Sequence, residues 1–147
     1  MTRHIERQIL QLKELILHFG TMVEESISHS NIALFKQDLS LATKVIANDA
    51  EIDRMEVELE EECLKVLALY QPVAADLRFV VAVLKINNDL ERIGDLTSNI
   101  AKTVSQLAIT GPFELPQEIS IMAKQAEEMV KKVSMPSSQL IQTSHDR

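Results

Sequence analysis

Four carboxylates fall into two pairs whose members lie four residues apart: Asp49 with Asp53, and Glu91 with Asp95. On a helix this spacing places both side chains of a pair on one face, a turn apart. Like charges so placed repel by roughly a few tenths of a kcal/mol, so neither pair contributes to helix stability. Carboxylates that gather despite this repulsion indicate a site for a cation.

The two pairs are also placed so that they can meet. The run at residues 69–73, Leu-Tyr-Gln-Pro-Val, is the best candidate for a turn between two helices. The first pair precedes Tyr70 by 17 and 21 residues, and the second pair follows Val73 by 18 and 22. At about 1.5 Å per residue, both pairs would lie roughly 25–33 Å from the turn, at the same height on antiparallel helices. We therefore predict a metal site formed by all four carboxylates.

Apolar residues recur at spacings of three and four over three long segments, which is typical of helices packed in a bundle. The first helix is predicted over residues 3–35 and the second over residues 39–70, with Asp38 as the N-cap of the second. The third helix is predicted to have Pro72 in its first turn and to end near Leu107. The fold class is therefore predicted to be all-α, an antiparallel three-helix bundle.

The apolar stripes of the second and third helices predict the core and what lies beside it. The second helix has a seam made of Ala42, Val45, Asp49, Ile52, Glu56, Leu59, Cys63, Val66 and Tyr70. The third has a stripe made of Phe79, Val83, Ile86, Leu90, Ile93, Thr97, Ile100, Val104 and Leu107, beside a polar stripe of Asn88, Glu91, Asp95 and Ser98. Gly94 lowers helix stability by about 1 kcal/mol relative to alanine, so its expected use is close approach of a neighbouring backbone or a bound ion.

The bundle is predicted to span residues 1–109 and to be followed by a linker at residues 110–116. A fourth amphipathic helix is expected over residues 117–133, and the polar tail at residues 134–147 is expected to be poorly ordered. Three long helices already complete a bundle, so the apolar face of the fourth has no evident partner. We infer an incomplete second module or a dimerisation element, and hence a homo-oligomer, most simply a dimer.

Composition excludes several classes of function. The 147 residues suit one domain, and a net charge of −7 without a basic stripe disfavours binding to nucleic acid or anionic lipid. Cys63 is the single cysteine and is expected in the core. With no signal-peptide pattern, this cysteine usage fits a cytoplasmic protein. The longest purely apolar run, residues 79–84, is too short for insertion into a membrane.

Carboxylate ligands suit magnesium, calcium, manganese or oxidised iron, and the absence of His or Cys beside them disfavours zinc or copper. Two alternatives remain open. One is a carboxylate-bridged di-iron bundle enzyme, but that class uses Glu-x-x-His, and none of the 4 histidines has a glutamate three residues before it. The other is a metal-free adaptor whose acids are solvated or bridged to Lys44, Arg54 or Arg92. No catalytic motif is evident, so no enzyme and no catalytic residue is predicted.

Several runs in the sequence resemble motifs of the PhoU family. They are residues 45–53 (VIANDAEID), 71–78 (QPVAADLR) and 89–95 (DLERIGD), with 99–102 (NIAK) following in register. The resemblance covers residues 4–107. Residues 116–133 are similar to the first helix of a second family repeat, whose remaining helices and paired acids do not follow.

The resemblance implies a regulator rather than a catalyst. PhoU proteins are cytoplasmic, consist of two three-helix repeats, and repress the phosphate-starvation regulon. They link the phosphate-specific ABC transporter to a phosphate-sensing histidine kinase, so the transporter ATPase subunit and that kinase are the implied partners at the inner face of the membrane. Each repeat carries paired E(D)xxxD motifs that bind iron or other metals in some members, and these motifs fall here on Asp49/Asp53 and Glu91/Asp95.

Overall fold

Four helices account for almost all of the described chain. The structure is a computed structural model that describes residues 2–143, with side chains described for residues 4–132. The helices are α1 (Thr2–Lys36), α2 (Leu39–Tyr70), α3 (Ala74–Ile109) and α4 (Gln117–Thr143). The first three pack against one another, and residues 2–143 contain no strand. The predicted all-α three-helix bundle with a fourth helix is confirmed.

The turn between α1 and α2 is short because one residue reverses the chain in the left-handed region. That residue is Gln37, whose φ is 53°. Asp38 then caps α2 as predicted, because its carboxylate accepts a hydrogen bond from the Leu41 N–H at 3.0 Å.

The turn between α2 and α3 corrects one prediction. Gln71 ends α2 with φ 44°, and Pro72 lies buried in the turn rather than in the first turn of α3. Proline suits that position because its φ is fixed and it has no N–H that would need a partner. Val73 then follows in an extended conformation, and α3 begins at Ala74.

The core follows the predicted seam of α2. The seam residues that it buries are Ala42, Val45, Ile52, Leu59, Cys63 and Val66. Burial raises the pKa of the Cys63 thiol to about 11, so this cysteine is an unreactive core residue, as predicted. Near the α1–α2 turn the core consists largely of alanine and valine, which allows the three helices to approach closely.

The buried face of α3 differs from the predicted stripe. Ile86 of that stripe is 40% exposed. The residues that α3 buries outside the stripe are Val80, Asn87, Gly94, Ser98 and Ala101. Helices that approach closely bury small side chains along their line of contact, so a stripe chosen by hydrophobicity alone is rotated away from that line.

The fourth helix packs along α1, and within the described residues it contacts no other helix. The buried side-chain amide of Asn31 in α1 donates hydrogen bonds to the Glu127 carboxylate at 2.7 Å and to the Ala123 C=O at 3.4 Å. The side of α4 that contains Ala123, Glu127 and Val130 therefore has a partner in α1. Met122, however, remains 62% exposed.

The end of α4 also differs from the prediction. The helix continues through Pro136 to Thr143, beyond the predicted end at Val133. A proline within a helix removes one backbone hydrogen bond and can bend the helix without ending it. Residues 144–147 of the predicted tail lie outside the described residues, and a second module that begins with α4 stays a prediction. None of the helices within residues 2–143 combines the length and apolarity that crossing a membrane requires.

Candidate functional site

The two acidic pairs meet between α2 and α3. One carboxylate oxygen from each of Asp49, Asp53 and Asp95 lies within 4.8 Å of the other two. Asp49 is half-buried, whereas Asp53 and Asp95 are exposed at the rim. The two pairs thus stand at the same height on antiparallel helices, as the count of residues from the turn predicts. These three residues are called the acidic triad below.

Glu91 adjoins the triad without belonging to it. Its carboxyl group hydrogen-bonds to that of Asp95, which requires a proton between the two. Burial, together with this bond and the negative charges of Asp95, Asp53 and Glu56, raises the pKa of Glu91 from 4.5 to about 7. Near neutral pH, Glu91 is therefore partly protonated, and its proton offsets some of the repulsion among the acids.

The pKa values of two further acids, Asp49 and Glu56, are raised by burial and by neighbouring negative charges. Burial, followed by the charges of Asp53 and Asp95, raises the pKa of Asp49. Burial, followed by the charges of nearby acids that include Asp53, also raises the pKa of Glu56. The sequence placed Glu56 on the α2 seam but did not assign it to the site. The available signal was its position seven residues after Asp49, which puts both on one helix face.

Close packing of α2 on α3 holds the acids together. A Cβ at position 94 would lie 2.9 Å from Ile52 Cγ2, so only glycine fits there without a shift. The Asn87 side-chain amide crosses the same interface and donates to the Glu56 C=O at 2.9 Å. The sequence predicts close approach of a neighbouring backbone or an ion at Gly94, whereas the structure packs the Ile52 side chain of α2 against it.

Three buried polar atoms among the described side chains lack a hydrogen-bond partner, and all three lie on α2 or α3. They are Asp49 Oδ1, Asn87 Oδ1 and Ser98 Oγ. Buried polar groups are nearly always satisfied in folded proteins, so these atoms are candidates to receive a partner from an ion or ordered water. The predicted polar stripe of α3 includes Ser98, but the sequence assigned it no role. The same stripe includes Asn88, which is exposed, and omits Asn87, which is buried.

Neighbouring cations do not neutralise the triad. Arg54, one of the suggested partners, pairs instead with Glu51 at 2.9 Å on the exposed side of α2. Among the described side chains, no Lys or Arg nitrogen lies within 4.0 Å of a triad carboxylate. Lys102 lowers the pKa of Asp49, but its influence is smaller than that of burial.

The donor set fits a hard cation. Three carboxylates supply the oxygen ligands that magnesium, calcium, manganese and oxidised iron prefer, and a cation would give the buried Asp49 Oδ1 the partner it lacks. The described histidines, His4, His18 and His29, lie exposed on α1, whereas the triad belongs to α2 and α3; His145 lies outside the described residues. The arrangement is thus suited to holding an ion that ties α2 to α3.

The raised pKa of Glu91 predicts how the stability of the metal-free protein depends on pH. Folded Glu91 keeps a proton that the unfolded chain releases above pH 4.5, so its contribution is complete below pH 4.5 and is lost as pH rises through about 7. With discounting for solvent screening, we expect the free energy of unfolding to be larger at pH 5.5 than at pH 8 by on the order of 1 kcal/mol. Thermal melts in chelating buffer measure this difference.

Two variants test that assignment. Glu91→Gln is expected to weaken the pH dependence, because its amide cannot titrate, and the remainder is expected to come from the raised pKa values of Asp49 and Glu56. Asp89→Asn changes an exposed acid on the same helix and is expected to leave the dependence as it is in the wild type. Equal slopes for all three proteins would contradict the role given to Glu91.

Fold and site together define a class of protein: an all-α bundle whose second and third helices carry paired acids that face each other. The family model of the PhoU domain matches residues 16–104, a range that contains both acidic pairs and the turn between them. The chain belongs to the PhoU family.

Individual relatives agree with this assignment. The chain is 39% identical over 124 residues to the phosphate-specific transport system accessory protein PhoU homolog of Aquifex aeolicus, covering 84% of this chain and 56% of that protein. It is 34% identical over 137 residues to the homolog of the same description in Synechocystis, covering 93% of this chain and 61% of that protein. The chain therefore spans about three fifths of the length of these relatives.

Solved structures share the fold. The chain superposes on PhoU from Pseudomonas aeruginosa with a TM-score of 0.82 at 33% identity, covering 86% of this chain and 61% of the other. It superposes on the phosphate transport system regulatory protein PhoU from Streptococcus pneumoniae with a TM-score of 0.80 at 30% identity, covering 89% of this chain and 61% of the other.

Proposed function

We propose that the chain is a regulatory accessory protein of phosphate uptake that acts by binding partners rather than by catalysis. The observation that carries this proposal is the family match across residues 16–104. Relatives that share the domain are named as accessory proteins of a phosphate-specific transport system. In its finer form, the proposal is that the chain represses phosphate uptake and the phosphate-starvation response by coupling the transporter ATPase subunit to a sensor histidine kinase.

Exposed apolar side chains beside the α2–α3 turn support a role in docking. Val73 is 75% exposed, and Leu69 and Leu77 flank it on the two helices. Apolar side chains grouped at one end of the bundle are better suited to contact with another protein than to contact with water. We propose that contacts of this kind with protein partners hold the chain in the cytoplasm at the inner face of the membrane. Separately, we propose that the chain self-associates as a homodimer.

The acidic cluster is proposed to hold a hard cation through Asp49, Asp53 and Asp95, with Glu91 joining once it has lost its proton. The bound ion would supply the positive charge that cancels the repulsion among the carboxylates. The contact between Gly94 and α2 sets the spacing of the two helices that carry them. The buried, unpartnered Oδ1 of Asp49 within the triad is what supports the proposal beyond the family resemblance.

A genetic test separates regulation from an inert scaffold. Deleting the gene for this chain from the organism that encodes it is expected to raise uptake of radiolabelled phosphate severalfold in phosphate-rich medium. Restoring the wild-type gene should return uptake to its repressed level. Unchanged uptake in the deletion strain would overturn the regulatory proposal, whatever the metal content of the purified protein.

A further inference from the structure

Ser98 lies on the face of α3 that contacts α2. Gly94 and Ser98 are four residues apart and so share one helix face, and Gly94 of that face packs on Ile52. Because the two helices are antiparallel, moving four residues forward from Gly94 on α3 corresponds to moving about four residues back from Ile52 on α2. That displacement places Ser98 level with Asn48 and its neighbour Asp49.

Both Ser98 and Asp49 have an oxygen without a partner. Ser98 is 2% exposed and its hydroxyl makes no hydrogen bond, and Oδ1 of Asp49 is likewise buried and unpaired. By contrast, the buried Ser26 hydroxyl, at the interface of α1 with α3, is satisfied by the Thr97 hydroxyl at 2.7 Å. Leaving a hydroxyl buried and unsatisfied costs about 1–3 kcal/mol, so Ser98 requires an explanation.

The usual local partner of a helical serine is already in use. Serine within a helix commonly donates to the C=O of the residue four positions earlier, which for Ser98 is Gly94. That carbonyl accepts a hydrogen bond from the Thr97 hydroxyl at 2.7 Å. The Ser98 hydroxyl therefore lacks its usual local partner, on the face of α3 that contacts α2.

We propose that Ser98 Oγ is a neutral ligand of the same cation that Asp49, Asp53 and Asp95 bind. This inference rests on the proposed cation site. A serine hydroxyl can coordinate a hard cation through a lone pair, as it does for magnesium in phosphate-binding loops. In a site already crowded with negative charge, a neutral oxygen raises the number of ligands without adding to the repulsion.

The test is Ser98→Ala, with manganese(II) as the probe. Calorimetric titration is expected to show affinity for manganese about tenfold below that of the wild type, because one ligand is missing. The melting temperature of the metal-free variant is expected to equal or exceed that of the wild type, because an unsatisfied buried hydroxyl has been removed. A purely structural serine would not move these two quantities in opposite directions.

Ser26→Ala is the matched control, since it removes a buried serine hydroxyl that has a partner. It is expected to lower the metal-free melting temperature and to leave manganese affinity unchanged. Wild-type affinity in Ser98→Ala, or a lower metal-free melting temperature in that variant, would overturn the role of Ser98 while leaving the triad standing. If the wild-type protein itself binds no manganese, the role of Ser98 and the proposed cation site both fall.

Discussion

The double variant Asp53→Asn with Asp95→Asn is expected to lose nearly all of the thermal stabilisation that manganese(II) gives the wild-type protein. At one hundred times the dissociation constant, an ion that binds only the folded state contributes about 2.7 kcal/mol, which is about 10 °C in melting temperature for a domain of this size. The variant keeps Asp49 as the only charge of the triad, so its melting temperature should rise by less than about 2 °C. Thermal melts with chelator and with manganese measure the difference.

Without metal, the same variant is expected to behave in the opposite way and to lose no stability. Without metal its melting temperature should equal or exceed that of the wild type, because two charges that repel their neighbours have been removed. The matched control is Glu58→Gln with Asp89→Asn, which removes two exposed carboxylates from the same two helices. If both double variants respond to manganese as the wild type does, the ion does not bind at the triad.

The variant Gly94→Ala is expected to weaken both the bundle and the site. Its Cβ would lie 2.9 Å from Cγ2 of Ile52, a buried and β-branched residue that cannot rotate away easily. Overpacking of this kind costs about 1–3 kcal/mol, and the gain of about 1 kcal/mol in helix propensity offsets only part of it. Separating α2 from α3 should also lower manganese affinity by about tenfold or more. Urea unfolding and calorimetric titration measure the two effects.

The chain provides its own control for that substitution. Gly20 of α1 has no atom within 4 Å of the position that a Cβ would take, so Gly20→Ala should stabilise the protein by up to about 1 kcal/mol without changing ion affinity. Adding Ile52→Ala to Gly94→Ala should give less destabilisation than the sum of the two single effects, because the clash is relieved. If Gly94→Ala stabilises the protein as Gly20→Ala does, helix separation does not depend on Gly94.

Local signals were strong enough to predict most of the fold from the sequence. The bounds of α2 are those predicted, because Asp38 is a favourable N-cap before Leu39 and Pro72 disfavours the helical conformation of the residue that precedes it, Gln71. The meeting of the acidic pairs was predictable as well, since helical rise and a single turn fix their heights. That they bind a metal stays a prediction.

The buried face of α3 was harder to predict, because a hydrophobicity pattern does not show how closely the neighbouring helix approaches. Gly94, Ser98 and Ala101 are buried because α2 approaches them, not because they are apolar, so a search for large hydrophobic residues selected the half-exposed Ile86 instead. Asn87 was missed for the same reason. Its buried amide donates a hydrogen bond to the Glu56 C=O of α2, and the spacing of residues along α3 does not reveal a partner on another helix.

Packing of α4 on α1 alone has a kinetic consequence for the opposite side of the bundle. Within the described residues, the fourth helix leaves the groove between α2 and α3 uncovered, and Asp53 and Asp95 remain open to water. A cation held there could come and go by exchanging ligands with solvent, with no need for a segment of chain to unfold first. The proposed site would therefore equilibrate with the ion concentration of the surrounding solution.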